Sequence, residues 1–229
     1  MAGVRRFRLV IPLAFDPAAP LALARLHRDL AVGEVATVRY TGPPHVLGGG
    51  GFEVDEVAGE RVVIRRARTL PDFVGPDMRV LVCGLNPSLV AADAGYGYAG
   101  PTNRFWPSAL DAALVTKARD PWHALEHDGV GMTDLVKRAT ASAAGLSADE
   151  YAEGAARVEL LVGWLRPAAV LFVGLSGWRA AVNRRAGAGW QPGGFGGAAA
   201  YVMPSTSGLN AHATRSSLVA HIHAAVGVA

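Results

Sequence analysis

The sequence predicts a three-layer α/β/α domain with a mostly parallel central sheet, preceded by a small β-rich extension. Three observations carry this. Short, nearly continuous apolar runs at residues 80–84, 130–135, 168–175 and 199–203 alternate with helical stretches. Runs of that kind suit parallel strands buried on both faces, and a βαβα order builds such a sheet. The chain has 229 residues, 51% of them hydrophobic, which is enough for one large domain or a domain with an extension. Its 18% of charged residues and mean hydropathy of +0.23 exclude a wholly disordered chain. The third observation is a change of texture near Pro71. Residues 1–70 hold 10 Arg and 7 Asp+Glu, whereas residues 71–229 hold 12 basic and 12 acidic side chains. We therefore place a domain boundary there: an α+β extension over 1–70 and a larger α/β domain over 71–229.

In order, the extension reads as a strand at 7–13, a helix at 20–30 and a strand at 35–40. The arginine-rich start has a short apolar run that Asp16-Pro17 ends early, so it reads as a strand rather than a signal peptide. Four glycines at 48–51 read as a mobile loop, because no helix start follows them to make a phosphate cradle. A hairpin follows, with strands 52–57 and 61–67 around Ala58-Gly59-Glu60. Beyond Pro71, helices are expected at 103–115, 147–165, 177–185 and 211–226. Ser147 with Glu150 three residues later is a capping box.

Composition excludes several functions. One cysteine, Cys83, leaves no disulfide framework, Cys-rich zinc site or four-cysteine cluster, and suits a reducing, cytoplasmic setting. No apolar run approaches the roughly 18 residues of a membrane span. His221 and His223 stand two apart on a helical stretch and so do not form an i, i+4 metal pair. No metal or organic cofactor is expected. The net charge of +3 is compatible with a polyanion partner without requiring one.

Ligands of open parallel sheets bind beyond the carboxyl ends of the strands, and two loops stand there. Gly84-Leu85-Asn86-Pro87-Ser88 follows the first apolar run and continues through Tyr96-Gly97-Tyr98 to Asn103-Arg104-Phe105-Trp106. Met203-Pro204-Ser205-Thr206-Ser207-Gly208-Leu209-Asn210 follows the last. Together they offer backbone N–H groups, an amide, hydroxyls and an aromatic face. They lack the nucleophile–His–Asp set of acyl-transfer enzymes.

These residues resemble the mismatch-specific uracil-DNA glycosylases, the thymine-DNA glycosylase-like branch of the uracil-DNA glycosylase superfamily. Residues 84–106 follow that branch's first motif, G-[LI]-N-P-G, a Gly/aromatic segment, then P-x-N-x-F-W. Residues 131–140 resemble its G-x-T-x-x-V-x-R-x-T segment, and Met203-Pro204-Ser205-Thr206-Ser207 its second motif. The resemblance covers about residues 70–229. It departs at Ser88, where the family usually has Gly, and at Leu175, where some relatives have Lys.

The resemblance implies a monofunctional DNA N-glycosylase that excises uracil opposite guanine, with thymine and exocyclic cytosine adducts as further candidates, and leaves an abasic site. It implies double-stranded DNA with G:U or G:T mismatches as the partner, bound by a monomer. Asn86 occupies the water-positioning place. Its amide both donates and accepts but is no strong base, so the chemistry leans on a good leaving group. Tyr98 matches the aromatic that stacks on the extruded base, with Tyr96 as its rival. Gly84, Leu85 and Ser205 would approach the base. Leu209 stands where the family places the wedge that fills the hole left by the flipped base, with Gly208 giving the loop flexibility. Ser207, Asn210, His212, Arg104, Lys137 and Arg138 are candidate DNA contacts, and Asn103 reads as a helix-start amide. Two other readings remain: a non-catalytic binder of damaged DNA with the same fold, and a single-strand or broad-specificity uracil-DNA glycosylase. For residues 1–70, both an accessory DNA-binding role for Arg5, Arg6, Arg8, Arg65, Arg66 and Arg68 and a packing role are open.

Overall fold

The computed structural model describes residues 9–10 and 16–227. They form two sheets. The first belongs to the extension: β1 (Leu9–Val10), α1 (Ala19–Asp29), β2 (Val35–Arg39), α2 (Pro44–Gly49), β3 (Phe52–Ala58) and β4 (Arg61–Arg66), with strand order β1-β2-β4-β3. The rest of the strand expected at 7–13, and Arg5, Arg6 and Arg8, lie outside the described residues. Helix α1 buries Leu23 and Leu26, with Leu30 just beyond it, against Ala36 and Val38 of β2 and Val62 and Ile64 of β4. The alternation in β2 and β4 sends one set of side chains inward and leaves Arg39, Arg61 and Arg65 on the other face.

Residues 48–51 are not a mobile loop. They close α2 and turn tightly into β3, and Gly49, Gly50 and Gly51 are buried. A Cβ on Gly50 would stand 2.7 Å from the Leu23 side chain, and one on Gly51 2.6 Å from His27. The glycines serve close packing, which composition alone cannot distinguish from flexibility.

His27 is 3% exposed, and its Nε2 has no hydrogen-bond partner among the described residues. Burial, helped by the Arg66 and Lys137 cations, depresses its pKa to about 3. An unfolded His27 takes up its proton near pH 6.5. The folded state therefore binds fewer protons between those values, and stability is lost as pH falls. Between pH 7 and pH 4.5 the chain is expected to lose about 2–3 kcal/mol that a His27→Leu variant retains. Urea midpoints at the two pH values check this; equal acid losses in both proteins would refute it.

The second sheet contains β5 (Val80–Gly84), β6 (Val130–Asp134), β7 (Ala169–Val173), β8 (Gly189–Trp190) and β9 (Ala199–Met203), in the order β6-β5-β7-β9-β8. All neighbours are parallel except β8 on β9, an antiparallel edge that the sequence reading missed. Strands β5, β6, β7 and β9 are largely buried on both faces, so alternate residues feed two cores. Val80, Val82, Leu171, Val173 and Met203 meet α4 (Phe105–Asp111), α5 (Pro121–Asp128) and α8 (Arg215–Val226). Leu81, Cys83, Val170, Phe172 and Val202 meet α6 (Ala148–Leu165) and α7 (Leu175–Ala181). This is the expected three-layer α/β/α arrangement.

The helix expected at 103–115 is shorter because the chain leaves it at Ala112 and Ala113 takes a φ of 50°. The one expected at 211–226 begins at Arg215, where the Thr214 hydroxyl caps the Ser217 N–H. The one expected at 177–185 is shifted, starting straight after Gly174, which has a φ of 115°. The capping box of Ser147 and Glu150 opens α6 as expected. Helix α3 (Leu89–Ala94) was not foreseen; Ser88 caps it by accepting from Ala91 N at 3.1 Å. No described helix is long and apolar enough to cross a membrane.

Candidate active site

The parallel register sets Gly84 beside Asp134 and Val173 beside Met203, so four strands end together. The chain winds to β6 on one side of β5 and to β7 on the other. Such a reversal opens a crevice at the strand ends. A cavity of about 210 Å³ lies there, and Asn86, Tyr98, Asn103, Asp134, Ser207 and Gly208 are among its lining residues.

Asn86 is fixed by its amide nitrogen, which donates to Arg138 O at 3.0 Å and Thr140 Oγ1 at 2.8 Å. Those two acceptors belong to the segment after β6, which the N–H of Thr140 also ties to Pro87 O. With both amide hydrogens engaged, the amide oxygen is the group left to accept from a molecule in the cavity. Ser88 has a φ of −72° and needs no glycine; it caps α3 and faces solvent, so the departure from the family's Gly leaves the backbone undisturbed.

Tyr98 lines the cavity, whereas Tyr96 packs edge-on against Trp106. The Tyr98 ring stacks on Phe105 with centroids 4.1 Å apart and planes at 22°. Its φ of 60° is unusual for a non-glycine residue, the kind of backbone cost that persists where surroundings impose it. Its phenol oxygen is buried with no partner among the described residues, and burial together with Asp134 raises its pKa well above the normal value. Gly84 explains how these groups fit. A Cβ there would collide with Asp134 Oδ1 and lie 3.1 Å from the Tyr98 oxygen.

Asp134 is the site residue that sequence reasoning missed, although it stood inside a matching motif. Asp134 lines the cavity, and its carboxylate makes no hydrogen bond or ion pair among the described residues. Burial raises its pKa to about 6; Asp72 adds to the rise, while Lys137 and Arg157 oppose it. The signal available was its place: an acid at the carboxyl end of a buried strand beside Gly84.

The loop after β9 closes the other side. Leu209 is 96% exposed, the most exposed large apolar side chain described. Arg104 holds the loop from beneath. Its guanidinium donates to Ser207 O at 2.8 Å, to Asn210 O at 2.7 Å and to Ala213 O, and its N–H donates to Thr206 O. These bonds assign Arg104 to the loop rather than to a phosphate. Asn210 also faces inward, donating to Ser205 O at 2.9 Å. Gly208 serves proximity rather than flexibility, since a Cβ would sit 2.6 Å from Thr102 Cβ. Ser205 lies at the end of β9, where its Oγ accepts from Ser207 N; Ser207 and Gly208 are this loop's contribution to the cavity lining. His212 is exposed on the same loop.

Two expected DNA contacts have carboxylate partners within the chain. Lys137 is turned inward onto Asp72 at 2.9 Å, with only 14% of its side chain exposed. Arg138 is held on Glu150 at 2.6 Å and on Gly145 O. Lys137 is thereby committed to a buried carboxylate, whereas Arg138 keeps 53% of its side chain exposed in a surface ion pair. Asn103 accepts from Phe105 N at 2.9 Å, a helix-start role. In the extension, Arg65 pairs with Asp55 and Arg68 with Asp93 while both side chains stay partly exposed, and Arg66 donates to Leu30 O, a packing contact.

The family description "Uracil DNA glycosylase superfamily" matches residues 71–226. The chain belongs to that superfamily. Its members are DNA N-glycosylases, hydrolases that act on DNA in base excision repair. The solution NMR structure of a candidate uracil DNA glycosylase from Methanosarcina acetivorans is similar at 18% identity, over 68% of this chain and 96% of that one, with a TM-score of 0.46. The glycosylase match begins at residue 71, beyond the sheet of β1–β4.

Proposed function

We propose that this chain is a monofunctional glycosylase that extrudes uracil from mismatches with guanine in duplex DNA and hydrolyses its N-glycosidic bond. The observation that carries the reading is Asn86, held by its nitrogen so that its oxygen can accept from a water in the cavity. The extruded base enters the cavity beside Tyr98, and Leu209 takes its place in the stack. As the bond between sugar and base breaks, its electron pair leaves on the base and positive charge grows on the sugar. Water then forms the new bond to the sugar carbon, and its proton passes to solvent or to the departing base. Asn86 orients that water. Asp134, when ionised, supplies the negative charge that an amide lacks and that favours the cationic sugar. Among the described residues no lysine lines the cavity, and the proposed reaction ends at the abasic site.

The test is strand scission by hot alkali after incubation with G:U, G:T, A:U and single-stranded uracil substrates. Release from G:U above the others supports the reading. Duplex binding with no release from any would make the protein a binder instead. Leu209→Ala is expected to lower release from the G:U duplex by at least ~10-fold, because unstacking costs a few kcal/mol, and to leave single-strand release unchanged. Equal losses on both substrates would remove Leu209 from the wedge role.

A further inference from the structure

We propose that the N-terminal extension is a working part of the catalytic pocket: it holds Asp72 against Lys137 and Arg157 behind β6, and this buried set of charges fixes the charge on Asp134. The inference rests on the role given to Asp134 above and adds its regulation.

The contacts form an unbroken path. Asp72 N donates to Gly49 O of α2 at 2.8 Å, and a Cβ on Gly49 would collide with Asp72 Oδ2. The Thr69 hydroxyl donates to Lys137 O. From the other side, Asp72 accepts from Lys137 Nζ at 2.9 Å, Arg157 Nη1 at 2.6 Å and Thr133 Oγ1 at 2.6 Å. Arg157, on α6, also donates to the backbone oxygen of Asp134 at 2.5 Å. The extension thus grips a carboxylate whose two cationic partners flank the residue facing the cavity.

The charge count makes the coupling directional. Two cations stand near two carboxylates, and Asp72 takes both in direct contact. Burial alone would raise the Asp72 carboxyl; Arg157, Lys137 and the Thr133 hydroxyl overcome that and hold it below the usual range. Asp134 therefore feels cations already neutralised by Asp72. The other groups packed around this set are neutral: burial pushes up the Cys83 thiol and the Tyr98 phenol, and pushes down His45 and His27. Removing the Asp72 charge exposes Asp134 to two unbalanced cations and must favour its ionised form. Removing the Lys137 charge must do the reverse.

The test is the midpoint of Asp134, read in two ways: from the pH profile of single-turnover uracil release, and from the side-chain carboxyl carbon by NMR titration, with Asp134→Asn fixing the assignment. Asp72→Asn is expected to lower the midpoint by about one pH unit, Lys137→Gln to raise it by a similar amount, and Gly49→Ala, which displaces Asp72 from the extension side, to lower it. Opposite shifts cannot arise from loosened folding, which would move the variants alike. Unchanged midpoints in folded Asp72→Asn and Gly49→Ala would overturn the proposal. Shifted NMR midpoints in a protein that releases no base would uphold the coupling and refute the glycosylase reading instead.

Discussion

Replacing Asn86 by alanine is expected to lower uracil release by at least ~100-fold while leaving duplex affinity within a few fold, since mispositioning of a reactant by about 1 Å already costs that much. The side chain touches no loop that would grip DNA. Its nitrogen is spent on Arg138 O and Thr140 Oγ1, so its contribution lies in where its oxygen sits. Single-turnover rates with saturating enzyme, alongside a binding isotherm for an uncleavable uracil analogue, separate the two effects. Full activity in the variant would sink the assignment. The same geometry bears on a carboxylate at this place. Considered as chemistry alone, Asn86→Asp should help, because a negative charge favours a cationic sugar. Here it would set an acid oxygen against the Arg138 carbonyl and add a second carboxylate to a cavity that already holds Asp134. Like charges so close raise one another's pKa. Asn86→Asp is therefore also expected to be slower than the natural chain, and the deficit should shrink as pH rises.

The parts of this fold that could be read from the sequence are those where one residue pattern has one physical solution. Continuous apolar runs at 80–84 and 199–203 became strands with those bounds, because only burial on both faces accommodates them. Ser147 and Glu150 opened a helix because capping is local chemistry. Short elements were harder. Helix α5 starts at Asp120-Pro121, an N-cap and a first-turn proline. That signal was present but sat on a stretch too short for apolar periodicity to support it. The glycines at 49–51 show the opposite failure: the residue type was plain, and its reason, the approach of Leu23, His27 and Asp72, was tertiary. The site divides in the same way. Asn86, Tyr98 and Leu209 were visible through motif and loop position. The inward turn of Lys137 was not, because its partner Asp72 lies 65 residues away. Asp134 was hidden for a related reason. Its place at the carboxyl end of β6 was visible, but what makes it unusual, a missing partner, has no sequence signature.

Arg104 shows how far a plausible surface assignment and a three-dimensional one diverge, and salt dependence distinguishes them. A phosphate-contacting arginine releases counterions on binding, so its loss should flatten the log K against log salt slope by about one. An arginine committed to the carbonyls of Ser207, Asn210 and Ala213 has no such effect, and Arg104→Met is expected to leave the slope unchanged. Stability should suffer instead. The substitution strips a charged donor from three partly buried carbonyls, each such bond contributing about 1.5–3 kcal/mol with part recovered by water, for a net loss of about 3 kcal/mol. Arg104→Lys should recover little, because one ammonium lacks the planar fork that reaches several acceptors at once. The damage should also be local before it is global. Amide exchange across residues 206–213 should accelerate, and the exposed Leu209 should lose the fixed platform from which it enters the stack. Base extrusion, followed with a fluorescent base beside the uracil, should weaken in parallel with exchange. A flattened salt slope with normal exchange would return Arg104 to the DNA surface.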